Sequence, residues 1–230
     1  GECELVLSDS QILDWKEDIN INEGEARQYY CVHCDEPGTL GRLIKADKKN
    51  PDKIRNLKVS GKISDEDFYF MRDSMAILEA VNLKESKVVD VSVEYAYSLS
   101  GHDDESGNST VFARRESGTY DDVIPDCAFR GKTSLYYLVF PEKITDIGIY
   151  AFSESSLSGT VVLPDNVKNI WGGAFCRTNL INVVFGNELE IIGEQAFGHC
   201  STFSSLSLPE SLVYIGYYAF GECGLSGNLI

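Results

Sequence analysis

The sequence predicts a solenoid of short repeats whose parallel strands build one continuous sheet face. Three observations support this fold. An Ala-Phe pair recurs every 22 or 23 residues, an Ile-Gly pair precedes three of its copies, and a Leu-x-x-Leu-x-Leu pattern lies between copies. A fixed period in this range is typical of a stack in which each turn covers its neighbour. The pairs are Ala128-Phe129, Ala151-Phe152, Ala174-Phe175, Ala196-Phe197 and Ala219-Phe220.

Alternating side chains within a turn predict one strand per turn. In the run from Leu138 to Phe140, these two residues point inward while Tyr137 and Val139 face out. The Ala-Phe pairs and the isoleucines before them are expected to form the opposite wall. Positions that should stack in register are Leu138, Val161, Val183 and Leu206. Glycines expected at a turn, or at a φ that other residues resist, are Gly148, Gly193 and Gly216.

Two repeats of a different type precede these turns. Ile54 and Leu78 each begin a Leu-x-x-Leu-x-Leu spacing, and Ser64 with Asp67 is a helix-capping signature between them. The predicted fold is therefore a right-handed leucine-rich-repeat solenoid with a parallel β-sheet face, β-rich, with short helices in its N-terminal part. We expect residues 1–52 to be an N-terminal cap segment. Residues 53–230 would then be the repeat domain, with an insertion at about 98–122 and a truncated last repeat.

Charge and hydropathy exclude two classes of partner. The net charge of the 230 residues is −16, so a nucleic-acid backbone would be repelled. The longest apolar run, from Leu135 to Phe140, is far shorter than the roughly 20 residues that span a bilayer. We therefore expect no nucleic-acid binding and no membrane insertion of this segment.

The chemistry-bearing residues do not form a recognisable catalytic set. Cys31-Val-His-Cys34 could hold zinc with Cys3 and His33, or its cysteines could form a disulfide, and the pairing of Cys3, Cys31 and Cys34 stays open. The segment from His102 to Glu105 could bind calcium or be a solvated loop. We expect no catalytic residue, no cofactor and no metal site.

Two further predictions concern single residues in the later turns. Cys200 and Cys223 occupy equivalent positions in adjacent turns, which indicates buried free thiols used as small apolar groups. His199 falls in a turn where the neighbouring copies have Glu154 or Glu222, so it is expected to be exposed.

The last full repeat carries a family resemblance. Its residues Leu206, Leu208-Pro209, Ile215-Gly216, Ala219-Phe220 and Cys223 resemble the BspA-like leucine-rich repeats of surface and secreted proteins from anaerobic gut and oral bacteria. The resemblance is close over residues 123–230 and loose over 38–90. Departures are Gly186 for Pro, Trp171 for Gly, and Lys132, Ser155 and Thr178 for Cys. It implies an extracellular or cell-surface protein, with a lipid anchor upstream as one arrangement, that binds a host or microbial surface protein or glycan.

Two hypotheses of different class follow. The first is a non-catalytic binding or adhesion module that uses the outward positions of the sheet face. Those positions are Tyr136, Tyr137, Val139, Thr160, Val162, Ile181, Asn182, Val184 and Ser205. The second is a structural spacer that displays another domain outside this segment.

Overall fold

The computed structural model describes residues 2–3, 29–93, 97–100 and 111–225, with side chains for 29–93 and 116–225. In the N-terminal part the elements are β1 Glu2–Cys3, β2 Tyr29–Cys34, α1 Leu40–Ala46, a 3-10 turn Pro51–Lys53, β3 Asn56–Ile63, α2 Asp65–Ser74, β4 Ala80–Asn82 and β5 Ser86–Val88. Four strands follow, β6 Val91–Val93, β7 Tyr97–Ser100, β8 Val111–Arg115 and β9 Gly118–Tyr120. The remaining strands are β10 Val123–Ile124, β11 Tyr137–Val139, β12 Asp146–Ile147, β13 Ser158–Val162, β14 Asn169–Ile170, β15 Asn179–Val184, β16 Ile191–Ile192 and β17 Tyr214–Ile215.

The N-terminal part is a parallel sheet in which an α-helix lies between β2 and β3 and another between β3 and β4. Strands β2, β3, β4 and β11 are neighbours in that order, and β5 also pairs with β3. The two residues of β1 pair with β2 in the antiparallel direction. Strand β2 lies inside the predicted cap segment yet pairs with β3 over five residues, so this part of the segment belongs to the sheet. The boundary at residue 52 stays a prediction.

A buried aspartate fixes the start of both helices. Asp67 accepts hydrogen bonds from the backbone N–H of Ser64 at 3.0 Å, of Gly38 at 2.7 Å and of Leu40 at 2.9 Å. The predicted helix cap at Ser64 is therefore present, and the same carboxylate ties α1 to α2. No helix among the described residues is both long and apolar enough to cross a bilayer.

The turns that contain β11, β13 and β15 each have a second strand, where the sequence predicted one strand per turn. The second set of strands forms its own parallel ladder, in the order β10, β12, β14, β16 and β17. In this ladder the side chains of Ile147, Ile170 and Ile192 point inward with 0% exposure. The three isoleucines pair with one another from turn to turn. The predicted solenoid with a parallel sheet face is confirmed, and this ladder is its second wall.

The first wall is formed by β4, β11, β13 and β15, and its predicted register holds for part of the stack. Val161 pairs with Val183, as expected, while Leu138 pairs with Val81 of the earlier repeat type. The prediction of one continuous sheet face is wrong at this point, because β13 and β15 form a two-stranded sheet separate from the sheet that contains β11. Residues 203–209 form no strand, and their link to β15 is the Ser204 N–H bond to the Ile181 carbonyl at 3.0 Å. Leu206 is half-buried against the core.

Phenylalanine rings stack through the interior. The rings of Phe152, Phe175, Phe197 and Phe220 follow one another with centroids 5.1, 5.3 and 5.2 Å apart and interplanar angles of 11°, 4° and 2°. Phe129 precedes them at 5.8 Å. Beside each ring the small alanine lets the turns approach, and the backbone N–H of Phe175 donates to the Ala196 carbonyl at 2.7 Å.

Three glycines were predicted to lie at a turn or at a φ that other residues resist, and the structure gives close packing between turns as the reason for them. Gly148, Gly193 and Gly216 have no positive φ, but a Cβ on Gly193 would lie 2.7 Å from the Gly172 nitrogen in the preceding turn. The left-handed positions are elsewhere, one before and one after each Ala-Phe pair. They are Cys127, Tyr150, Gly173, Gln195 and Tyr218 before it, and Gly131, Glu154, Arg177, His199 and Glu222 after it.

An antiparallel hairpin occupies the predicted insertion. Strand β6 pairs with β9 and β7 with β8, so the hairpin begins at Val91, before the expected start. Its base is tied to both neighbouring parts of the fold, because the Asp122 N–H donates to the Val88 carbonyl and the Thr145 N–H donates to the Asp122 carbonyl. The insertion thus connects strand β5 to the second wall.

Candidate functional site

The candidate binding surface is the outward side of β4, β11, β13 and β15, here named the first face. Inward residues of these strands are buried, with Leu138 at 8%, Val161 at 6% and Val183 at 2% exposure. The residues between them therefore face solvent, because side chains alternate along a strand. All nine sequence-predicted residues lie on this face or directly beside it, and none is buried.

Strand pairing arranges these residues in rows. Thr160 lies opposite Asn182, and Val162 lies opposite Val184. On the preceding strand Tyr137 pairs with Ala80, and Val139 pairs with Asn82. Since neighbouring parallel strands are about 4.8 Å apart, paired side chains are close enough to contact one ligand.

The exposed centre of the first face is aliphatic. Val162 is 60% exposed, Ile181 is 51% and Val184 is 47%. Thr160, Asn182 and Ser205 add neutral polar groups. None of the predicted positions in this part of the face is charged, although the chain as a whole is strongly acidic.

Charged side chains that pair with one another lie at and beside β3, on the other side of β4 from β11. Lys58 on β3 contacts Glu85 with 2.6 Å between Nζ and Oε1, and Arg55 forms an ion pair with Glu79. The uncharged surface is therefore limited to the later strands.

The two tyrosines are less accessible than the sequence indicated. Tyr136 and Tyr137 are half-buried, and both backbone N–H groups donate to the Glu79 carbonyl at 3.0 and 3.3 Å. They lie at the junction between the two repeat types. The expectation that the insertion folds over them falls partly on residues 94–96 and 101–110, outside the described residues.

The Cys-x-x-Cys segment does not bring its thiols together. Cys34 is fully buried and has a free thiol, whereas Cys31 lies three residues away on β2 and donates to the Tyr29 carbonyl at 3.8 Å. A bond between Cys31 and Cys34 is therefore absent. The Cys3 side chain and the candidate calcium segment from His102 to Glu105 are outside the described residues. Elsewhere, no three described His, Cys, Asp or Glu side chains converge as metal ligands.

The later cysteines are free thiols, as predicted. Cys200 donates to the Phe175 carbonyl and Cys223 donates to the Phe197 carbonyl, each at 3.1 Å. Burial raises the pKa of the Cys223 thiol to about 11. Each cysteine thus contacts the backbone of the preceding turn, and a raised pKa keeps the thiol protonated and unreactive at neutral pH.

A small polar cluster was missed by the sequence prediction for His199. The His199 Nδ1 lies 2.8 Å from Glu222 Oε2, and the Tyr218 hydroxyl donates to Glu222 Oε1 at 2.6 Å. The bond from Tyr218, followed by that from His199, lowers the pKa of Glu222. The one available signal was the 23-residue spacing of His199 and Glu222, which places them in adjacent turns. The cluster contains no nucleophile, so it fits a surface contact between turns.

The comparison with family models agrees with the stacked turns. A family model described as BspA type leucine rich repeat region matches residues 122–229 in six copies. Among solved structures, the chain is similar to a leucine-rich repeat protein from Bacteroides ovatus at 15% identity and a TM-score of 0.33. That alignment covers 56% of this chain and 56% of that protein, so the chain spans about half of its length. No curated protein matches the chain significantly. The six-copy match and the stacked Ala-Phe turns show that residues 122–229 consist of BspA-type leucine-rich repeats.

Proposed function

We propose that the chain is a non-catalytic binding or adhesion module that presents its first face to a protein or glycan on a host or microbial surface. The repeats in residues 122–229 support the class, because BspA-type leucine-rich repeats are typically non-catalytic and belong to surface or secreted proteins. The proposed location is the bacterial cell surface or the extracellular space. No catalytic residue or cofactor is part of the proposal.

The observation that carries the proposal is the exposed aliphatic row on the first face. Val162, Ile181 and Val184 each leave about half or more of their surface in water. A contiguous apolar patch on a soluble protein is commonly an interaction site. Interface cores are depleted of charged residues, and the first face has this composition while the rest of the chain is acidic.

The rigidity of the stack favours binding. The strands that hold these residues rest on the phenylalanine stack, and the inward Val161 and Val183 are almost fully buried. A ligand would therefore meet a surface whose backbone is already ordered, so little conformational entropy is lost on binding. The outward valines are stiff at χ1, which adds to this effect.

Site-specific photocrosslinking tests the proposal. In one variant benzoylphenylalanine replaces Val162, and in a control variant it replaces Tyr150. Each variant is incubated with solubilised host matrix and microbial surface proteins and then irradiated. Tyr150 is 43% exposed but lies in the turn before Ala151, away from the first face. We expect adducts at Val162 and none at Tyr150. Glycan ligands are tested separately on a glycan array, with Val162→Asp as the control. Equal labelling at the two positions would contradict the proposal.

A further inference from the structure

Residues 42–55 form a basic segment in an otherwise acidic chain. The segment comprises most of α1, the 3-10 turn and the start of the path to β3. Six of its residues are basic and two are acidic, which gives a net charge of +4. Because the whole chain carries −16, the other 216 residues carry −20. The segment is therefore opposite in charge to the rest of the chain.

Four cations of this segment, here named the basic patch, have no ion pair among the described residues. They are Arg42, Lys45, Lys48 and Lys53, and all four are exposed. The other two basic residues have partners. Arg55 forms an ion pair with Glu79, and the Lys49 Nζ lies 6.0 Å from the centroid of the Tyr30 ring. The basic patch is thus available to a ligand with negative charges.

The two acidic residues of the segment are bonded to the body of the fold. Asp47 Oδ2 accepts a hydrogen bond from the Tyr30 hydroxyl at 2.8 Å. Asp52 Oδ1 accepts from the Ala76 N–H at 3.4 Å, two residues beyond the end of α2. The charge of Asp52 also acts on the buried Lys132, whose pKa it raises against the larger opposite effect of burial. The exposed surface of the segment is therefore dominated by its cations.

Helix α1 arranges the basic patch in a row. Arg42 and Lys45 are three positions apart on α1, which places them on the same side of the helix. The Lys48 N–H donates to the Lys45 carbonyl at 3.0 Å, so Lys48 follows directly at the end of the helix. At about 1.5 Å per residue, the backbone positions of Arg42 and Lys48 are on the order of 9 Å apart. A row of this kind suits a polymer with repeated anionic groups.

Local folding preferences do not account for two of these cations. A lysine in the last turn, such as Lys45, stabilises a helix, but Arg42 lies in the first turn, where the helix dipole disfavours a cation. Lys48 has a φ of 56° and lies just after the helix, at the position where glycine is the usual residue. Arg42 and Lys48 therefore oppose the local preferences, which favours a role other than folding.

We propose that the basic patch binds an anionic polysaccharide, whose sulfate or carboxylate groups contact the four cations. The guanidinium of Arg42 can bond such a group through two N–H donors, and the lysines act as point charges. A flexible polysaccharide can follow the patch and leave the surface at either end of it. This surface is separate from the first face, and the inference does not depend on the proposed function.

Other polyanionic surfaces fit the segment less well. Helices that bind a membrane surface insert exposed apolar side chains, but Ile44 and Ile54 of this segment are buried and Leu43 packs against the core. A nucleic-acid duplex is rigid and densely charged, so it would extend over the surrounding residues, which carry −20. The polysaccharide is therefore the partner that the charge distribution favours.

Isothermal titration calorimetry of the full 230-residue chain tests the inference. Heparin carries sulfates and carboxylates whereas hyaluronan carries only carboxylates, so the two probes separate the anionic groups. We expect binding of at least one of them, which weakens as sodium chloride is added because salt screens exposed charges. Lys45→Ala and Lys48→Gly should each weaken that binding roughly fivefold. Lys143→Ala, at an exposed lysine outside the basic patch, is the matched control and should bind as the wild type does.

Lys48→Gly separates binding from folding. Glycine adopts a φ of 56° without strain, so we expect the melting temperature of this variant to be unchanged or higher. A loss of affinity in Lys48→Gly therefore cannot be due to unfolding.

Three results would overturn the inference. One is a wild-type chain that binds neither heparin nor hyaluronan at low salt. Another is an affinity that Lys143→Ala lowers as much as Lys48→Gly does. The third is duplex DNA or polyglutamate bound as tightly as either polysaccharide, which would show that negative charge alone is recognised.

Discussion

Lys132 donates from its Nζ to the Met75 carbonyl at 2.6 Å and to the Arg72 carbonyl at 2.8 Å. The lysine belongs to the first BspA-type turn, and the two carbonyls end helix α2 of the earlier repeats. The lysine occupies the position at which later turns have Cys200 or Cys223. Lys132, which departs from the repeat pattern, is therefore the residue that joins the two repeat types.

The first prediction concerns this junction. Lys132→Met keeps the apolar stem but leaves two carbonyls without their charged donor, so we expect a loss of about 1.5–3 kcal/mol in the free energy of unfolding. Lys143→Met, at an exposed lysine in the next turn, should cost less than about 0.5 kcal/mol. Urea denaturation measures both variants. Equal losses would show that the two hydrogen bonds do not hold the junction.

The second prediction concerns the phenylalanine stack. Phe197 is fully buried between Phe175 and Phe220. We expect Phe197→Ala to lower the free energy of unfolding by about 3–5 kcal/mol, because a large cavity opens between three turns. Tyr217→Ala, at a 77% exposed ring, is the control and should change little. A loss below about 1 kcal/mol for Phe197→Ala would contradict the stack.

The third prediction separates two roles of glycine. Gly193→Ala brings a Cβ to 2.7 Å from the backbone of the preceding turn, so we expect about 1–3 kcal/mol of destabilisation. Gly131 has a φ of 69° and no atom within 4 Å of an added Cβ. Because other turns place Glu154, Arg177 and His199 at this position, Gly131→Asn should be close to neutral. Thermal melts that rank the two variants in the opposite order would refute this account.

The fourth prediction is a pH dependence. Burial raises the pKa of Cys34 from 9.0 to about 11. The unfolded thiol ionises first as pH rises, so the stability that this group contributes is complete below 9.0 and is lost as pH rises through about 11. The difference in unfolding free energy between the wild type and Cys34→Ala is compared at both ends of this window, so that the constant cost of the cavity cancels. A difference that does not change with pH would contradict the assignment.

The sequence predicted the features that recur in every turn, and it did not predict the features that occur in single turns or in two-residue strands. The Ala-Phe period located the stacked rings, since only a buried position requires the same large side chain in every turn. The second strand of each turn was missed because two residues, such as Asp146–Ile147, are too short for an alternating pattern. The place of Lys132 against α2 could not be predicted, because the contact joins residues about 60 positions apart across an insertion.

The candidate site was predicted in part for the same reason. Alternation along β13 and β15 placed Val162 and Val184 on the surface correctly, as their exposure shows. It did not reveal that Tyr136 and Tyr137 are half-buried, because burial there depends on β4, which precedes them by more than fifty residues.

The central claim is that the first face binds the ligand. Its most direct test is the affinity of a ligand captured at Val162 for Val162→Asp and Ile181→Asp, with Tyr150→Asp as the control and circular dichroism as the check on folding. We expect each first-face variant to bind at least about tenfold more weakly, a loss of roughly 1.4 kcal/mol, while the control binds as the wild type does. Wild-type affinity in both first-face variants, with the fold intact, would contradict the claim.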